Sequence, residues 1–173
     1  MTRRDPRARS VVPRRAGAVL AAAGAALALA GCSGGQPIPA QDVVAHYDEV
    51  AADAAAAGAA DGREFELQAT TRTVAERDGD CLYRAGDWTS SVPFDGSVSD
   101  EGVWDEYVAP YEDVLREHGF GGFGPVARRG ALHYAEARDE HGAVFTIDAQ
   151  GRFSISDARV ETDRCTPEAL GLA

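Results

Sequence analysis

Three cysteines, four histidines and a surplus of carboxylates are the groups in this chain that could do chemistry. The cysteines stand at 32, 81 and 165, and the histidines at 46, 118, 133 and 141. A helical zinc site would pair histidines four apart, and no such pair exists here. Each histidine therefore reads as structural, with His118 placed to meet the negative end of a helix. Asp78-Gly79-Asp80 and Asp139-Glu140 bring carboxylates together as calcium prefers. Neither follows the twelve-residue loop closed by a glutamate, so turns are expected instead. Ser97 and Ser99 flank Val98 after Gly96, but the nucleophile-elbow pattern G-x-S-x-G is absent. Among so many acids a glycosidase-like pair can be chosen at will, which makes the choice uninformative. No catalytic residue, metal or cofactor is expected.

Trp88 is the better candidate for a contact with a partner, being a residue type enriched in binding hot spots, yet a Trp after a strand more often covers the core. Phe120 and Phe123 sit among glycines, either as a binding lip or as side chains that plug the core. This loop follows a helix rather than opening one, so it makes no phosphate cradle. Arg128-Arg129 could dock an anion or form a solvated turn.

The N-terminus says where these groups act. Residues 1–15 carry six arginines against one aspartate, and Ala16 to Ala30 is uncharged and rich in Ala and Leu. Fifteen helical residues reach only about 22 Å, short of the ~30 Å hydrocarbon core, so the stretch reads as a secretory signal. Leu29-Ala30-Gly31-Cys32 closely resembles the lipobox of bacterial lipoproteins. The resemblance implies cleavage before Cys32 and a diacylglycerol on its thiol, hence a membrane partner through the lipid. Arg14-Arg15 invites a twin-arginine route, but Ala16-Gly17-Ala18 follow it and favour general secretion. The expected organisation is a signal peptide at 1–31, a lipidated Cys32 with a short tether to 40, and one domain over 41–173.

All seventeen basic residues are arginine, with no lysine or asparagine, which looks like codon bias in a GC-rich genome. The signal resembles those of actinobacteria; an extreme halophile is the second reading. Without its first 31 residues the chain keeps 11 Arg against 27 acids, a formal charge of −16. No nucleic-acid partner is expected of such a surface. An anionic domain within a Debye length of anionic lipid is repelled, so it is expected to stand off the bilayer on its tether.

With Cys32 given to lipid, Cys81 and Cys165 form an even pair in an exported domain, and a disulfide is expected. A metal site would need paired spacing that two lone cysteines lack. The elements that must position these groups follow from periodicity. Apolar residues spaced three and four apart predict a helix from Ala40 to Ala57, stopped by Gly58, and a second from Glu101 to His118, kinked or broken at Pro110. Alternation predicts a strand from Phe65 to Thr73, a turn at Asp78-Gly79-Asp80 and a return strand from Cys81 to Arg84. Residues 86–100 read as a loop. A meander follows at Ala131–Ala137, Ala143–Ile147 and Phe153–Ser156.

The fold class is therefore α+β: an antiparallel sheet, hairpin plus three-strand meander, with two helices on one face and one disulfide. The functional expectation is a monomeric, non-catalytic, lipid-anchored envelope protein that binds a partner protein or ligand. A passive spacer lipoprotein and a cell-wall hydrolase are the alternatives.

Overall fold

The computed structural model describes residues 35–60, 62–90, 92 and 101–172. The stretch read as a signal peptide, Cys32, Ser97 and Ser99 lie outside these residues. Helix α1 (Ala40–Ala59) buries Val43, Tyr47, Val50, Ala51 and Ala54 along one side. Gly58 does not stop it. A β-carbon there would lie 2.5 Å from the Phe65 ring and 2.7 Å from the Tyr111 hydroxyl, so the missing side chain serves close packing. Helix α2 (Glu101–Glu117) buries Trp104, Tyr107, Val108, Tyr111 and Leu115. It runs through Pro110 as one element. The proline forfeits one backbone hydrogen bond, and the aromatic stripe on either side holds the helix together.

The strands are β1 (Ile38–Pro39), β2 (Phe65–Gln68), β3 (Thr73–Arg77), β4 (Asp80–Arg84), β5 (Gly86–Ser90), β6 (Ala127–Arg129), β7 (Leu132–Arg138), β8 (Val144–Asp148), β9 (Arg152–Ser156) and β10 (Ala158–Glu161). They divide into two sheets, ordered β1-β10-β4-β3 and β2-β5-β9-β8-β7-β6, instead of the single one expected. The predicted strand 65–73 is cut by a 3₁₀ turn at Ala69–Thr71, which sends β2 to one sheet and β3 to the other. Asp78 and Gly79 both take positive φ, which a two-residue type I′ hairpin requires.

The two sheets share one spine. Val160 faces Cys81 and Ala158 faces Tyr83; past the interruption, Ile155 faces Gly86 and Arg152 faces Thr89. Each step back along β10 and β9 matches a step forward along β4 and β5, so the register never slips. The ladder bends where Asp157 adopts φ 61° and Gly86 φ 139°, and the Ala85 amide bridges the gap to the Ile155 carbonyl at 3.0 Å. A long antiparallel ribbon is thus folded into two sheets.

Cys81 on β4 and Cys165 just after β10 are bonded, with Cα atoms 5.3 Å apart. The bridge ties the chain after the last strand to that strand's neighbour, as expected. Inward side chains of both sheets join both helices in one core: Phe145 stacks on Phe153, Tyr111 lies 6.3 Å from Phe145, and Tyr47 lies 6.3 Å from Tyr83. Burial raises the Tyr83 phenol to about 12.

The segment expected to be a free tether belongs partly to the domain. Ile38 and Pro39 pair in parallel with Val160 and Glu161. Gln36 donates its amide to the Glu140 carbonyl at 2.7 Å, and Arg159 donates to the Gly35 carbonyl at 2.8 Å. A β-carbon on Gly35 would collide with the Glu140 carbonyl and the Gly142 amide, so only glycine fits this clamp.

Candidate functional site

Alternation along the strands puts one set of side chains in the core and leaves the other on the open side. On β5 and β9 the open set is polar, Asp87 and Thr89 with Arg152, Ser154 and Ser156, and on β8 Thr146 and Asp148 share that face with the apolar Val144. Strand pairing lines these groups up. Gln68, Asp87, Ser154, Thr146 and Glu136 form one row across five strands, and Thr89, Arg152, Asp148 and Tyr134 form the next. Neighbours within a row are about 4.8 Å apart, the spacing between strands. Together they floor an open groove of about 810 Å³. That volume lies in the upper part of the range for small-molecule sites.

Charge in the groove is concentrated and internally cancelled. Five of the eleven arginines after residue 31 line it: Arg77, Arg84, Arg129, Arg138 and Arg152. Four carboxylates oppose them. Arg84 pairs with Asp87, Arg138 with Glu136 at 3.3 Å, Arg77 with Asp157 at 3.3 Å, and Arg152 with Asp148 at 2.8 Å. Arg129 instead lies over the Tyr134 ring, 5.3 Å from its centre. The lining therefore sums to about one positive charge in a domain that is strongly negative elsewhere. Asp148, only 7% exposed, is the most firmly held of these acids. Its oxygens accept from the Gln150 amide at 2.8 Å and from Arg152 Nε at 2.9 Å. The Tyr107 hydroxyl donates to its carbonyl at 3.0 Å, tying the groove floor to α2.

The residues expected to touch a partner lie elsewhere. Trp88 points into the core, stacked on Phe153 with ring centres 4.9 Å apart. The reading of 86–100 as a loop fails over Gly86–Ser90, which is β5, a strand flanked on both sides, and its inward position is what buries the indole. Phe120 is buried and Phe123 half-buried, both edge-on to Phe145. Their loop is irregular, as expected, but it is no free lip. Gly121 and Gly124 donate their amides to the Arg138 and Glu136 carbonyls, so the backbone runs along β7 while the rings plug the core. Cys32 lies outside the described residues.

Three of the four histidines meet, which sequence spacing gave no reason to expect. The His46 ring on α1 lies 6.1 Å from His118 after α2 and 6.0 Å from His141 in the β7–β8 turn. His118 hydrogen-bonds Asp53 at 2.9 Å, His141 Nδ1 the Gln36 carbonyl at 2.7 Å, and His46 Nε2 is buried without a hydrogen-bond partner among the described residues. Burial, more than the neighbouring charges, lowers the His46 pKa. Beside it the Tyr47 hydroxyl donates to Asp139 at 2.7 Å, and burial together with that carboxylate raises the phenol strongly. Asp139 also accepts the His141 and Ala143 amides, so it caps its turn as expected for Asp139-Glu140. No three His, Cys, Asp or Glu among the described residues are placed to hold a metal ion.

No protein-family model, curated protein or solved structure is significantly similar to this chain.

Proposed function

We propose that the protein is a lipid-anchored, non-catalytic component of the bacterial cell envelope that binds a ligand or partner in the open groove. The anchor is supported by Leu29-Ala30-Gly31-Cys32 behind a cationic and then apolar stretch. Binding is supported by one observation above all: a concave surface of about 810 Å³ gathers five arginines and a lattice of hydroxyls within a domain of opposite charge. A spacer gains nothing from such an arrangement. Each groove carboxylate is engaged by an arginine, which favours recognition over proton transfer.

Two measurements test this. Mass spectrometry of the membrane-extracted protein should find a diacylglyceryl group on the Cys32 peptide; an unmodified thiol there removes the anchor. A photocrosslinking residue at Thr146 in the groove should give a reproducible product in intact cells, and one at exposed Asp105 on α2 should not. Equal labelling, or none at either position, removes the groove as the binding face.

A further inference from the structure

Resting on the reading of the groove as the binding face, we infer that its ligand is an uncharged, hydroxyl-rich chain, an oligosaccharide laid across the strands. The observation is a division of labour within the lining. Gln68, Thr89, Tyr134, Thr146 and Ser154 have neutral hydrogen-bonding groups, and none of them makes a side-chain hydrogen bond among the described residues. The four carboxylates and four of the five arginines are already paired with one another.

Three ligand classes separate on this evidence. An apolar ligand would cover those five groups and leave them unmatched, at a cost for each. An anion would have to draw an arginine from its carboxylate, because among the described residues only Arg129 of the groove arginines is without a carboxylate partner, and the lining is worth only about one net positive charge. A neutral polyol breaks no ion pair and matches alternating donors and acceptors. Its hydroxyls would meet Ser154 and Thr146, adjacent across β9 and β8. Asp87 and Glu136, next in the same row, keep acceptor capacity beyond their arginines. The row from β5 to β7 covers three strand spacings, about 14 Å, longer than one sugar ring. Leu132 and Tyr134 at the β7 side offer apolar surface for the carbon-bound hydrogens of a ring.

Isothermal titration of the full-length chain in detergent tests this with four probes: chitotetraose, maltotetraose, tetragalacturonate and inorganic phosphate. Saturable binding of a neutral tetrasaccharide is expected, tighter than either anionic probe. Thr146→Val and Ser154→Ala should each weaken it about tenfold, the loss of one or two hydrogen bonds, with an unchanged thermal midpoint. Should either variant unfold, Thr89→Val provides the same reading from β5. No neutral binding up to about 10 mM, tighter binding of phosphate or tetragalacturonate, or full affinity in the folded variants overturns the inference. Crosslinks from position 146 in cells with no saccharide binding would reject the ligand class and keep the groove; loss of both would reject both.

Discussion

The two faces of the sheet share the same strands and the same backbone, yet they answer to different constraints. On β9, Phe153 and Ile155 are sealed in the core while Arg152, Ser154 and Ser156, one residue away, stand on the open face. The covered face is filled by volume: Phe145 meets Tyr111, Phe120, Phe123 and Phe153. The open face is filled by hydrogen-bonding capacity, part of it unused. Large aromatics therefore reveal how this domain is held, and small hydroxyls reveal what it could hold. Residue type alone inverts that assignment, as Trp88 demonstrates.

The sharpest way to break the contrast is to hollow the covered face. Phe145→Ala should cost about 3–5 kcal/mol in denaturant unfolding, since a fully buried ring leaves a cavity that its neighbours cannot close. Replacing Cys81 and Cys165 by serine should cost about 2–5 kcal/mol in the same assay, the range for a bridge that closes a long loop. A smaller effect belongs to His46. Its folded pKa lies below the ordinary 6.5, so its neutral form is the one the fold favours. That contribution is complete above pH 6.5 and is lost as pH falls from 6.5 through the lowered folded value. His46→Gln should flatten this part of the stability profile, measured by urea unfolding between pH 7.5 and about 5; an unchanged slope would assign it to other groups. Smallest of all, Thr146→Val on the open face should move stability by less than about 0.5 kcal/mol, the usual bound for surface changes.

Periodicity in the sequence reveals both helices, the hairpin turn and the three meander strands to within a residue or two, because each satisfies its own local pattern. It does not reveal β5, whose Gly86, Asp87, Thr89 and Ser90 have little strand preference and are held by β2 and β9 on either side. Nor does it reveal the 3₁₀ break at Ala69–Thr71, since Phe65 to Thr73 alternates without interruption. Gly58 and Pro110 carry ordinary stop signals that tertiary packing overrides. The disulfide was legible because, with Cys32 set aside, two cysteines without metal-ligand spacing are left to pair with each other. The groove was not, because its row from Gln68 to Glu136 draws on residues that only long-range register brings together. The histidine cluster is hidden for the same reason.

The clamp on Gly35 changes what an anchor at Cys32 would be. Only Ser33 and Gly34 separate that cysteine from a point fixed to the β7–β8 turn, a reach of about 10 Å at full stretch. Lipid at Cys32 would act as a rivet rather than a leash, leaving the domain little freedom to tumble. Repulsion from anionic headgroups could then be relieved by tilt alone, and the aspect presented to the surroundings would be set by where the rivet enters. Lengthening the Ser33-Gly34 stretch with flexible residues should loosen that posture without disturbing the fold, as rotational mobility in vesicles would report.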